Sequence, residues 1–403
     1  MAGSGGPLTG LKVIELAHIM AGPACGLMLA DMGADVIKVE KVPGGDDSRR
    51  FLPPDIDGES AAFMMMNRNK RGIAVNLKEP GGKAVMKRLL KTADVVIENY
   101  RIDTMDKLGL GYDDLKKENP GLIYCAISGF GRTGPYAMRG GFDLIAQGMS
   151  GLMSITGEGP GRPPVKMGAP ITDITAGILG AMAVSAAYAH KLKTGEGQKI
   201  DTSLFEAGIV HTYWQSAIGL ATGVAPGPMG SAHPLNGPYQ AFQTVDGWIT
   251  LGAANQKNWL RLLDVLDAPE IADDPRFREN SDRMVHLREL EVLLGNIFAT
   301  QSTEDWLTRL DGVGVPAGPV LSVNEMHEDP QALARDMVVE VNHARVGPVK
   351  TLGPPVKFSE TPGRVAAGAP VYGQHTREVL AEYGFDESEI ESFIDSGAVV
   401  VSE

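Results

Sequence analysis

The chain is 403 residues long, 43% hydrophobic and 22% charged, the make-up of a folded protein of about two domains and not of a disordered one. Its formal charge of −13 argues against non-specific nucleic-acid or anionic-membrane binding, so a polyanionic ligand has to be met by a local basic cluster. Two cysteines, Cys25 and Cys125, are too few for a disulfide framework, and with no secretory apolar segment ahead of Leu8 a reducing cytoplasm is the expected compartment.

The first seven residues, with Gly3-Ser4-Gly5-Gly6, read as a flexible tail. Lys12–Leu16 then reads as a strand, Gly22–Met32 as a helix stopped at Gly33, and Asp35–Glu40 as a second strand, which makes a βαβ unit. Strand signals recur at Gly72–Asn76, Asp94–Glu98, Leu122–Ser128 and Lys199–Asp201 with helical stretches between them. Such alternation predicts an α/β fold whose large domain is Rossmann-like, a parallel sheet covered by helices, with ligands gathering at the carboxyl ends of the strands. No G-x-G-x-x-G follows a strand and there is no P-loop, which removes the usual support for NAD or ATP. The apolar run Ile174–Ala189, about 16 residues, is too short to span a bilayer and reads as a buried core helix.

Beyond residue 220 the pattern changes. Gly223–Pro238 is a Gly/Pro-rich connector, and Tyr239–Thr244 with Trp248–Leu251 flank Val245-Asp246-Gly247 as a β-hairpin. Amphipathic helices are expected at Trp259–Leu266, Arg283–Thr300 and Thr303–Asp311, then an extended connection over Gly347–Pro362 and a late helix at Thr376–Tyr383. The expected division is therefore a large domain over 1–224, a smaller α+β domain over 225–325, and a connector with a C-terminal return to the large domain over 326–403.

Chemistry concentrates between residues 138 and 180. Gly168-Ala169-Pro170-Ile171-Thr172-Asp173 sets a carboxylate at the mouth of the apolar helix, where first-turn N–H groups would hold it ionised; that suits either a helix cap or a nucleophile. Upstream, Asp143 in Arg139-Gly140-Gly141-Phe142-Asp143 is a second carboxylate, or an N-cap for a helix over Leu144–Met149. Cations or polar groups stand near strand ends at His18, Lys41, Lys70, Arg71, Asn99 and Lys107; any one Lys or Arg among them reads more readily as a solvated surface charge, and their recurrence at strand ends weakens that reading without removing it. No H-E-x-x-H or Cys/His cluster around His233 or His375 suggests a metal; His375 reads as making a structural hydrogen bond, and Ser150 misses a G-x-S-x-G elbow by one residue.

Taken in order from about Leu8 to Val400, several segments resemble one known family. They are Gly10–Leu16, Ala21-Gly22-Pro23, Gly33–Glu40, Asn67-Arg68-Asn69-Lys70-Arg71, Glu98-Asn99-Tyr100, Thr194–Gln198 and Gly373-Gln374-His375-Thr376. The chain resembles the family III coenzyme A transferases, which include formyl-CoA transferase, carnitine CoA-transferase and the α-methylacyl-CoA racemases. It looks nearest to the members that use succinyl-CoA and dicarboxylic acids. The resemblance implies that Asp173 is the catalytic aspartate, with CoA or acyl-CoA as substrate and no tightly bound cofactor. It implies CoA-binding roles for His18, Ala21, Lys41, Lys70, Arg71, Asn99 and Lys107, and an interlocked homodimer. Racemases of the family resemble one another in having a histidine where Phe142 stands, and phenylalanine cannot move a proton. This favours transfer, with Asp143 a supporting carboxylate that orients the acceptor or the lid. The loop Gly252-Ala253-Ala254-Asn255-Gln256 is read as oxyanion donors, or as a turn in which Asn255 caps a helix. An acyl-CoA isomerase of the same fold and a non-catalytic CoA-thioester binding protein are the competing readings.

Overall fold

The computed structural model describes residues 5–402, so the first four residues of the tail lie outside it. The chain forms two compact units: one from the chain up to Gly151, Met167–His211 and the chain from Pro330 onward, the other from Leu152–Lys166 and Thr212–Asp329. The second unit thus takes in Leu152–Lys166 and the helix Tyr213–Thr222, both inside the 1–224 range of the sequence reading.

The first unit is built on seven strands: β1 (Lys12–Glu15), β2 (Asp35–Lys41), β3 (Arg71–Val75), β4 (Val95–Glu98), β5 (Ile123–Ser128), β6 (Lys199–Ser203) and β7 (Val399–Val400). They lie in the order β7-β3-β2-β1-β4-β5-β6, all parallel except β7, which runs antiparallel to β3 at the edge. This is the order of a doubly wound sheet. Alternate residues feed two cores, as a sheet covered on both faces requires. Ile14, Ile37, Ile73, Val96 and Tyr124 face the helix Pro80–Thr92, while Val13, Val36, Val95, Ile97 and Cys125 belong to the opposite core.

That opposite core contains the helices that carry the site: α1 (Ala21–Asp31), α2 (Asp143–Met149), α3 (Ile171–Thr194) and α4 (Leu204–Val210). Helix α3 spans 24 residues, longer than the apolar run alone suggested. It is long and apolar enough to cross a membrane by composition, yet Thr172, Ala176, Gly177, Gly180, Ala181, Val184 and Ala187 bury one stripe in the protein. Glycine makes its approach to α1 possible. A Cβ on Gly177 would fall 2.6 Å from Ala24 Cβ and 2.7 Å from Ala21 O, inside contact distance. The first turn of α1 is thereby set against the second turn of α3.

The second unit has an antiparallel sheet in the order Ala317–Pro319, Trp248–Gly252, Tyr239–Gln243, with helices Gln256–Val265, Leu287–Phe298 and Thr303–Val313. Phe242, Ile249, Trp259, Leu262, Phe298 and Trp306 fill its core. Arg283 is fully buried there, its Nε donating to Gly237 O at 2.6 Å and its Nη1 to Phe277 O at 3.1 Å. The helix expected to run unbroken over Arg283–Thr300 is two helices, Asn280–Val285 and Leu287–Phe298, because His286 leaves helical geometry at ψ 27°. Back in the first unit, the connection expected over Gly347–Pro362 begins as a strand: Gly347–Leu352 pairs with Val338–His343 in a hairpin.

Candidate active site

The turn from β1 to α1 is held from several sides. Ile19 adopts φ 64°, a left-handed conformation that a β-branched residue takes only under constraint. Its N–H donates to both oxygens of Asp46 at 3.2 Å. Asp46 is paired with buried Lys38 at 2.8 Å, Lys38 with Glu15 at 3.1 Å, and Glu15 with Lys70 at 2.8 Å. Burial by itself would raise the Asp46 carboxyl, but Lys38 and the hydrogen bonds from Ser48 outweigh it and hold the group well below the usual carboxylate range. This chain of alternating charges beneath the turn passed unread in the sequence. The available signal was β2 itself, where Lys38 and Glu40 share a face with Val36 and are buried with it.

Above this network, His18 and Asn99 clasp each other through His18 N to Asn99 Oδ1 at 2.9 Å and Asn99 Nδ2 to His18 O at 2.8 Å. His18 Nε2 lies 3.1 Å from Tyr100 Oη, its Nδ1 is buried with no hydrogen-bond partner among the described residues, and burial pushes its pKa down, which favours the neutral ring. Ala21 opens α1 beside them, so His18, Ala21, Asn99 and the second turn of α3, at Gly177, share one end of the sheet.

The cations divide. Lys41, at the carboxyl end of β2, is partly exposed and paired with Asp47 at 2.7 Å, and Lys107 ends the short helix Thr104–Lys107 as an exposed residue. Lys70 is instead fully buried, its Nζ committed to Glu15, Pro23 O and Asn67. Burial pushes its pKa down to about 8 against the pull of Glu15. Arg71 opens β3 at the amino end of that strand, not beyond a carboxyl end, and its guanidinium is tied to Asp35, Glu378 and Glu382. Neither is a free cation: buried Lys70 and half-buried Arg71 each have their charge paired internally.

Asp173 occupies the first turn of α3, part-buried, and among the described residues its carboxylate has neither hydrogen bond nor ion pair. It is therefore not a cap; the N-cap position belongs to Pro170, which offers no side-chain acceptor. Nor does the helix terminus hold it ionised as the sequence suggested. Burial, aided by the neighbouring Asp143 charge, pushes its pKa up to about 7. A partly exposed carboxylate left without a partner is costly to fold and is the kind of group reserved for chemistry. Nearby, Thr175 Oγ1 lies 2.7 Å from His211 Nε2.

Asp143 does not cap its own helix either. Phe142 is the N-cap residue of α2 and is 73% exposed, while Asp143 Oδ1 accepts from Thr172 N at 2.9 Å and Thr172 Oγ1 at 2.7 Å. In the second unit, Asn255 Oδ1 accepts from Asn258 N at 2.8 Å and caps the helix Gln256–Val265. Of the five backbone N–H groups read as oxyanion donors, Gly252 and Ala253 already donate to Pro316 O and Pro238 O, at 2.9 and 3.0 Å.

A doubly wound sheet with a strained strand-to-helix turn, together with an aspartate in the first turn of α3 that has no partner among the described residues, defines an α/β protein whose candidate site lies at the carboxyl end of its sheet. Comparison with known proteins makes this specific: residues 8–376 match CoA-transferase family III, and the chain belongs to that family and is a CoA-transferase. It is 44% identical over 382 residues to the succinate–glutarate CoA-transferase of Agrobacterium fabrum, covering 93% of this chain and 95% of that one. It is 39% identical to the succinyl-CoA:glutarate CoA-transferase of Mus musculus, covering 98% of this chain and 90% of that one. A solved CaiB/BaiF family protein from Brucella suis is similar at 40% identity with a TM-score of 0.84, over 94% of this chain and 100% of that one.

Proposed function

We propose that this enzyme moves CoA from succinyl-CoA to a dicarboxylic acid of glutarate size, through covalent intermediates on Asp173. The observation that carries the proposal is the Asp173 carboxylate itself, part-buried and unpartnered on the first turn of α3. The names of the relatives from Agrobacterium fabrum and Mus musculus support the substrate pair. In the first half-reaction an Asp173 oxygen attacks the thioester carbonyl and CoA thiolate leaves, giving a mixed anhydride. The thiolate then attacks the Asp173 carbonyl, releasing succinate and leaving an aspartyl-CoA thioester. In the second half the acceptor carboxylate attacks that thioester and again expels thiolate, which attacks the acceptor carbonyl; the acceptor leaves as its CoA ester and Asp173 is regenerated. His18, Ala21 and Asn99 would flank the thioester arm, and exposed Lys41 and Lys107 would meet the phosphates as point charges. Lys70 and Arg71, with their charges spent internally, would brace α1 and the sheet. We infer in addition a homodimer of interlocked chains working in a reducing cytoplasm, where the free, buried Cys25 and Cys125 persist as thiols.

The test is to follow acyl-CoA products by liquid chromatography with succinyl-CoA and either glutarate or its monocarboxylate analogue valerate. Glutaryl-CoA should form, valerate should be a poor acceptor, and Asp173→Asn should lose roughly three orders of magnitude in kcat. Equal use of both acids would overturn the substrate class. Exchange of the α-proton with deuterated water in the absence of transfer would point to an isomerase.

A further inference from the structure

We propose that Asp143 is a positioning residue for the transfer reaction: with Gln147 it fixes the segment Met167–Thr172 and the first turn of α3, and so the place of the Asp173 carboxylate. The inference rests on the reading of Asp173 as nucleophile. Its basis is a directional chain of hydrogen bonds. Asp143 Oδ1 accepts from Thr172 N at 2.9 Å and from Thr172 Oγ1 at 2.7 Å, supplying from another helix the acceptor that Pro170 lacks. Asp143 Oδ2 accepts from Gln147 Nε2 at 2.7 Å. Gln147 Oε1 accepts from Met167 N at 2.9 Å, which sets the orientation of that amide. Thr172 and Gln147 are fully buried, so none of these bonds is exchanged cheaply for water.

Polarity makes the residue type specific. Donors face both Asp143 oxygens, and the Met167 N–H prevents Gln147 from turning its own oxygen towards position 143. Only a group that accepts at both ends fits. In Asp143→Asn the new side-chain NH2 would be set against the Gln147 NH2, or turned against the Thr172 N–H. Combining it with Gln147→Glu reverses the middle bond and keeps the charge, giving up only the long bond from Gln147 Nε2 to Ala169 O at 3.4 Å. The introduced amide at position 143 would then donate to the introduced carboxylate at position 147, whose other oxygen still accepts from Met167 N–H.

The experiment is a double-mutant cycle of Asp143→Asn, Gln147→Glu and the pair together, reading kcat and the KM for succinyl-CoA. Each single variant should lose about 10–100-fold in kcat, as a displaced nucleophile does, with KM within about twofold of wild type. The pair should recover to within about threefold of wild-type kcat. Because a misfolded fraction lowers apparent kcat without moving KM, each variant is also melted by scanning calorimetry, and a transition of wild-type enthalpy reports fully folded protein. Single variants with wild-type kcat, or a pair no better than its worse member, would overturn the proposal. Failure of the underlying reading shows separately, as a wild-type enzyme that carries no acyl or CoA adduct on Asp173.

Discussion

Asp173→Asn should make the protein more stable, by a margin that grows as the pH rises towards 7. In the folded chain the Asp173 carboxyl sits at about 7 against an ordinary 3.8, through burial first and the Asp143 charge second. A raised carboxyl pKa means that the folded state holds its proton more tightly than the unfolded one. The penalty for ionising Asp173 therefore begins near its unfolded value, grows as pH rises, and is complete above 7. Between pH 5 and pH 7, two pH units at about 1.36 kcal/mol each give a ceiling of about 3 kcal/mol. Asp173 is only part-buried, so water relaxation should leave about half, roughly 1.5 kcal/mol. Asn does not titrate and escapes the penalty. By scanning calorimetry at constant ionic strength, the advantage of the variant in Tm should widen by roughly 2–3 °C from pH 5 to pH 8. A gap that is the same at both pH values, or a variant less stable at pH 8, would refute the claim that Asp173 is held against its own ionisation.

Three further substitutions separate packing from propensity and charge from carbonyl satisfaction. Gly177→Ala should lower stability by about 1–2 kcal/mol despite a helix-propensity gain of about 1 kcal/mol, because its Cβ meets Ala24 Cβ and Ala21 O; Gly295→Ala, in the helix Leu287–Phe298 with open space around it, should raise stability by up to about 1 kcal/mol in the same urea titration. Matching signs for the two would refute the close approach of α1 and α3. Arg283→Met should cost about 3 kcal/mol, since Gly237 and Phe277 carbonyls lose their buried donor, whereas an unchanged melting curve would mean that burial of the lone cation cancels those bonds.

What the sequence discloses follows the range of the forces involved. The β1–α1–β2 unit was legible because hydrophobic period and the Gly33 stop are local; Gly33 adopts φ 95° and lies against Gly6. The hairpin Val338–His343 with Gly347–Leu352 was not, because Gly347-Pro348 and Gly353-Pro354-Pro355 read as connector, whereas Pro348 is tolerated in a strand of a two-stranded sheet that has only edges. The break at His286 carries no Gly or Pro to announce it. At the site, Asp173 stood out through the family resemblance, and local sequence alone left it balanced against a cap. Lys70 and Arg71 were misplaced as strand-end cations because their partners, Glu15 and Glu378, lie far off in sequence. The same distance hid the bond from Thr172 to Asp143, although both residues were in view.

The central claim is that Asp173 becomes covalently bonded during transfer. Intact-protein mass spectrometry of the wild type and Asp173→Asn after acid-quenched incubation with succinyl-CoA, with hydroxylamine trapping and peptide mapping, tests it directly. The account predicts a succinyl or CoA adduct on wild-type protein, a hydroxamate mapped to Asp173, and neither in the variant. Turnover of succinyl-CoA with a wild-type protein that never carries an adduct, or an adduct that persists in Asp173→Asn, would contradict it.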